Sequence, residues 1–174
     1  YVSSGVPTFA VRPTVGGADT SIAGGTVKIN TWNHIAFSVN AGSGKLFLNG
    51  TQVGVTTTFS AASFTPVAAA LMRIANGNLL SSDFGYISNL RIVQNTAVYT
   101  ANFTPPTSPL VAITNTSLLT CQSNRFIDNS TNAFALTATG APITIAFCPF
   151  NPSASYSTAT YSGGGYFSGS TDYL

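Results

Sequence analysis

The sequence predicts an all-β protein built as an antiparallel β-sandwich. Three observations predict it. Apolar and polar residues alternate with period 2 in one short stretch after another, as in strands that bury one face. Gly, Asn, Ser and Pro clusters punctuate these stretches at the spacing of turns. No stretch shows the 3.6-residue apolar period of an amphipathic helix.

Val6–Arg12 (VPTFAVR) alternates as a strand, and Pro7 puts its start at an edge or end. VGGAD is a turn. Ser21–Ile29 is a weaker strand interrupted by Gly24-Gly25. Residues 30–53, NTWNHIAFSVNAGSGKLFLNGTQV, form the centre of the sequence and hold its only Trp and only His. Trp32, His34, Ala36 and Ser38 point one way, and Ile35, Phe37 and Val39 the other. In the partner strand Leu46 and Leu48 alternate with Phe47. The turn NAGSGK joins the two, with Gly42 and Gly44 supplying backbone angles that other residues resist. Asn49-Gly50 marks a second tight hairpin turn.

Gln52–Phe59 (QVGVTTTF) is a third strand, rich in β-branched residues. Residues 60–70 are the one place for a helical turn, and Pro66 argues against more. Leu71–Ala75 is a short strand followed by a polar loop to Asp83. Phe84–Val93 (FGYISNLRIV) alternates as one strand. Residues 94–109 are an extended connector stiffened by Pro105, Pro106 and Pro109. Beyond it, Leu110–Cys121, Phe134–Thr139, Pro142–Phe147 and Tyr166–Leu174 read as strands separated by polar loops. The total is roughly ten or eleven strands.

The chain has 174 residues, of which 44% are hydrophobic, enough for a real core. Only 6% are charged, and Glu is absent; the four acids are Asp19, Asp83, Asp128 and Asp172. Ser, Thr and Asn take over the polar work, which fits an extracellular or virion surface. A net charge of +2 from scattered bases leaves no nucleic-acid footprint. No apolar run approaches the ~20 residues of a membrane span. A chain that starts at Tyr1 without Met or a signal peptide is expected to be a fragment or a processed piece. Cys121 and Cys148 are either one disulfide or two buried thiols, because spacing does not fix the geometry of a bridge.

W-N-H-I-A-F-S-V, then K-L-F-L-N-G-T-Q-V, then F-G-Y-I-S-N-L-R-I resemble the laminin G-like, or concanavalin A-like, jelly roll. Residues 1–104 resemble the C-terminal part of such a domain. T-S-L-L-T-C, F-I-D-N-S-T-N-A-F-A-L-T-A-T-G-A-P and G-G-G-Y-F-S-G-S-T-D-Y-L resemble its N-terminal part, here last instead of first. The resemblance therefore implies halves in permuted order: residues 1–104, a Pro-rich joint at 105–109, and residues 110–174. Either the chain is a window cut from a tandem array, or it is one permuted domain that closes on itself or with a neighbouring copy. In the last case residues 110–174 supply strands in trans. Phrases such as T-A-V-Y-T-A-N-F-T-P-P also resemble repeat-bearing bacteriophage or marine bacterial surface proteins.

Trp32 and His34 invite a reading as a sugar-stacking ring beside a general base. A large apolar ring and a locally bonded imidazole on one strand face explain them better. Glycoside hydrolysis usually needs two carboxylates ~5–10 Å apart, and nothing in the order of the four Asp brings two together. No nucleophile-elbow motif supports a Ser/His/Asp triad. Calcium is the ion the resemblance implies, and it wants several oxygen ligands. The metal candidates are Asp128 with Asn129, supported by Ser130 and Asn132, and Asp19 after Gly16-Gly17. Asx turns explain these residues equally well. The glycan-binding candidates are Asn76, Asn78 and Asp83 in a loop, with Tyr99 or Tyr161 as a stacking face. The expected function is a non-enzymatic structural and adhesive module of a fibre or surface appendage, of a phage virion, presented to host-surface glycans. Neighbouring copies of the module are its expected partners. The alternative is an architectural spacer, capsid decoration or strand-exchanging subunit, and a glycan hydrolase stands behind both.

Overall fold

The structure is a computed structural model that describes residues 1–11, 18–60, 72, 74, 85–150, 163–167 and 173–174. All regular structure among these residues is β. The chain divides into two compact units, residues 1–70 with 96–105 and residues 71–95 with 106–174.

The first unit is a two-layer sandwich. One antiparallel sheet holds β1 (Val2–Ser3), β2 (Val6–Val11) and β3 (Thr20–Ala23) in that order. The other holds β4 (Ile35–Asn40), β5 (Ser43–Leu48) and β6 (Thr51–Thr58). Three hairpin turns have positive φ at both central residues: Ser4-Gly5, Ala41-Gly42 and Asn49-Gly50. That geometry matches the right-handed twist of the flanking strands. Asn49-Gly50 is the turn the sequence signals. The turn before it is tighter than NAGSGK suggests, because Asn40 already pairs with Ser43. Gly44 therefore lies inside β5, and the Phe59 ring occupies the space its side chain would take.

Ile22, Leu46 and Phe59 form the buried centre between the sheets, flanked by Phe9, Val11, Phe37, Val39 and Val53. Phe9 stacks on Phe37 with centroids 3.4 Å apart, and Phe59 meets both rings edge-on. Each such ring buried contributes about 1.5–3 kcal/mol. β3 and β6 approach so closely that a side-chain carbon at Gly24 would lie 2.7 Å from the Gly54 Cα.

The second unit holds β7 (Gly85–Ile87), β8 (Leu90–Val93), β9 (Thr116–Thr120), β10 (Ile143–Ile145) and β11 (Gly164–Phe167). Its sheets are β10-β11-β7 and β8-β9, all antiparallel. Ile74, Leu118, Cys121, Phe167 and Leu174 form the buried core. The single strand expected over Phe84–Val93 breaks at Ser88-Asn89, where Asn89 has φ 56°. The Asn89 side-chain oxygen accepts from the Leu110 backbone and the Gln122 amide, which fixes the break and sends β7 and β8 into different sheets.

The stretch 71–95 groups with residues 106–174, where β8 pairs with β9 and β7 with β11. The strands at 116–120 and 164–167 pair here with strands of the same chain. Several expected strands also shorten. Ser21–Ile29 keeps only Thr20–Ala23, and Phe134–Thr139 keeps one bridge, Thr139 to Tyr173. The helical turn weighed at 60–70 lies outside the described residues except for Ser60.

Candidate functional site

The β4-β5 sheet has two unlike faces. One supplies Phe37, Val39 and Leu46 to the core. The other presents three cross-strand pairs in a row: Ala36 with Phe47, Ser38 with Lys45, and Asn40 with Ser43. Period-2 alternation forces this row once the hairpin register is set. It begins apolar and becomes polar toward the turn.

Residues 96–105 cross this face, and hydrogen bonds to the hairpin and β6 hold them there. Lys45 Nζ donates to the Thr100 carbonyl at 2.7 Å, the Gln52 amide to Asn102 Oδ1 at 2.8 Å, and the Phe103 amide to the Gly50 carbonyl at 2.9 Å. The crossing seals the apolar end with rings. Tyr99 stacks on Phe103 with centroids 3.6 Å apart, and Phe47, fully buried, meets both rings edge-on. The His34 ring sits edge-on to Tyr99 at 6.2 Å and to Phe103 at 5.4 Å. Asn49 clamps the His34 main chain from the hairpin turn. Its side-chain oxygen accepts from the His34 amide at 2.8 Å, and its own amide donates to the His34 carbonyl at 2.7 Å. His34 is thereby part of the packing.

The polar end stays open as a small cavity of about 90 Å³, lined by Ser38, Asn40, Ser43, Lys45, Tyr99 and Thr100. That volume corresponds to about three waters. The Ser38 hydroxyl is buried in its wall and has no hydrogen-bond partner among the described residues. Leaving such a group unsatisfied costs about 1–3 kcal/mol. Lys45 uses one of its three donors on Thr100. Opposite Lys45 the β5-β6 ladder shifts register, with pairs at Gly44-Thr57 and Leu46-Val53 and residues 54–56 between. A bulge of this kind re-aims the side chains around it.

Of the expected glycan-contact residues, Tyr99 lies at this cavity, with one face taken by Phe103. Asn76, Asn78, Asp83 and Tyr161 lie outside the described residues. Ser38, Asn40, Ser43, Lys45 and Thr100 escaped the sequence reading. The missing signal was the two-residue turn: a turn at Ala41-Gly42 puts Asn40 beside Ser43 and Ser38 beside Lys45.

The calcium candidates have a different role. Asp128 is 9% exposed, and its carboxylate oxygens accept four contacts. The Leu119 and Ser130 amides donate to Oδ1 at 3.0 and 2.8 Å; the Ser130 hydroxyl and the Phe134 amide donate to Oδ2 at 2.8 and 3.0 Å. Burial pushes this carboxyl up, but the four donors outweigh it and hold the pKa below the ordinary value. Asn129 donates its amide to the Leu119 carbonyl, and Asn132 its side chain to the Ser117 carbonyl. Asp128 therefore tethers loop 128–134 to β9, with each carboxylate oxygen accepting from two protein donors. Asp19 is an exposed residue of the other unit. So engaged, the Asp128 carboxylate does not fit a calcium ligand, and no three His, Cys, Asp or Glu side chains cluster among the described residues. Cys121 and Cys148 are buried thiols, not a disulfide.

A laminin G family model, described as the concanavalin A-like lectin/glucanases superfamily, matches residues 1–99, more than half of the chain. Neither the curated proteins nor the solved structures contain a match.

Proposed function

The chain belongs to the concanavalin A-like lectin/glucanase superfamily, with a laminin G-like domain, and on that footing we propose that it is a carbohydrate-binding adhesive module. Laminin G-like domains are generally binding modules without catalysis. The observation that carries the reading is the cavity at the open end of the β4-β5 hairpin. It sets four uncharged polar residues and one ammonium beside an aromatic ring held by stacking on Phe103. Saccharide sites combine these parts, since a sugar offers hydroxyls to polar groups and C–H faces to rings. Catalysis fits poorly. The chain has no Glu, and Asp128 is engaged by four donors.

The module is displayed outside the cell on a fibre or surface appendage, such as that of a virion, toward host glycans. A charged fraction of 6% with Ser, Thr and Asn as the main polar residues supports that placement. Neighbouring copies of the module stand beside it in such an appendage. The architectural alternative, a spacer or capsid decoration, draws on the two glycine-sealed, close-packed strands β3 and β6, which make a stiff unit.

A glycan array probed with the 174-residue chain tests the reading. Saccharide-competable binding, unchanged by a calcium chelator, is the expected result. Binding to no glycan on an array of neutral and acidic sugars would leave the spacer.

A further inference from the structure

We propose that the cavity between β4, β5 and residues 99–100 is an anion-selective subsite that takes the oxyanion of an acidic saccharide. This rests on the carbohydrate-binding reading and names the class of sugar.

The cavity lining is one-sided in charge. Lys45 is cationic, and Ser38, Asn40, Ser43, Tyr99 and Thr100 are neutral; none of the six is acidic. Among the described residues no carboxylate pairs with Lys45, whose ammonium is held only by the Thr100 carbonyl at 2.7 Å. An ammonium fixed by one bond keeps two N–H donors for a ligand. The Thr100 tether also pre-places the charge, so little side-chain entropy is lost on binding.

The remaining groups extend the donor set. Ser38 lies directly across from Lys45 in the ladder, and Asn40 directly across from Ser43. Ser38 is 8% exposed, and its hydroxyl lines the cavity with no hydrogen-bond partner among the described residues. A ligand oxygen satisfies it, whereas an apolar ligand leaves it orphaned. A carboxylate or sulfate group presents two or three acceptor oxygens, which matches an ammonium flanked by hydroxyl and amide donors. The volume of about 90 Å³ admits such a group with the sugar ring outside, against Tyr99. The carboxylate of a uronate and the sulfate of a sulfated sugar share this chemistry.

The test uses the full 174-residue chain and three soluble probes: oligogalacturonate, sulfated dextran and unmodified dextran. Binding is read by calorimetry at low salt and again near 1 M, where exposed charge pairs are screened. An anionic probe is expected to bind at least about tenfold more tightly than dextran, and to lose that advantage in high salt. Lys45→Gln keeps a donor for Thr100 and is expected to remove the advantage. Lys45→Arg is expected to restore it, and thermal melts of both variants check folding. Which anionic probe binds assigns the source of the oxyanion. Equal binding of dextran and the anionic probes, or an advantage that survives in a folded Lys45→Gln variant, would overturn the anion subsite and leave the carbohydrate reading standing. Binding of none of the three, with no hit on the glycan array, would overturn both.

Discussion

Ser38 and Lys45 oppose each other across β4 and β5, one with a buried hydroxyl that has no hydrogen-bond partner among the described residues, the other with an ammonium tied to the Thr100 carbonyl. An apolar pair would suit this half-covered sheet face better. The hydroxyl instead faces a cavity in which a water or a ligand oxygen satisfies it.

Ser38→Ala is therefore expected to separate stability from binding. Removing the hydroxyl stabilises by up to about 1 kcal/mol, which raises Tm by about 2–4 °C in a chain of this size. The same change weakens saccharide binding. Thermal melts and calorimetry on one preparation check both signs. A variant that loses stability and keeps its affinity would assign Ser38 to packing.

Asp128 is a structural anion, and its variants read out acid stability. Asp128→Asn keeps the shape but exchanges an acceptor oxygen for a donor facing N–H groups, at an expected cost of about 1.5–3 kcal/mol. The sign with pH follows from the lowered folded-state pKa. The carboxylate's contribution is complete above its ordinary value of 3.8 and fades as the pH falls through the folded-state value. Wild-type stability should fall steeply below that point, and Asp128→Asn should flatten that part of the curve. Denaturant titrations across the acid range measure it.

The close approach of β3 and β6 rests on Gly54. Its φ is +71°, and a side-chain carbon there would run into the Ala23 carbonyl. Gly54→Ala is expected to cost about 2 kcal/mol or more, from backbone strain and displacement together. Gly85→Ala is the control. Among the described residues it has no neighbour within 4 Å of the added carbon, and its φ is not positive, so it should be neutral or stabilise by about 0.4–1 kcal/mol.

The sequence made some parts of this fold legible and hid others for physical reasons. Alternation through Phe37, Val39 and Leu46 located the core face, because a strand's period is local. Asn49-Gly50 announced its turn, because only certain residues tolerate two successive positive φ values. The break at Ser88-Asn89 was hidden, since Asn89 is set by Leu110 and Gln122, distant in the chain. The cavity was hidden for a related reason. Ser38, Asn40, Ser43 and Lys45 are ordinary strand residues until residues 99–100 wall them in. Asp128 looked like a metal ligand because the oxygens that suit calcium suit backbone amides equally well.

Cys121 should be chemically silent in the folded protein. Burial pushes its thiol up to about 11, against a smaller opposing pull from Thr120. At about pH 8 the thiolate fraction is then on the order of one in a thousand. Iodoacetamide should leave Cys121 unmodified under native conditions and alkylate it after denaturation, with peptide mass spectrometry as the readout. Rapid native alkylation would show that this core opens.

The most direct measurement is a backbone amide NMR titration of the 174-residue chain with oligogalacturonate and with sulfated dextran. The expected result is saturable shifts grouped at Ser38, Asn40, Ser43, Lys45, Tyr99 and Thr100 with one of the two. Saturable shifts grouped elsewhere, or no shifts with either probe, would contradict the assignment of this cavity as the binding site.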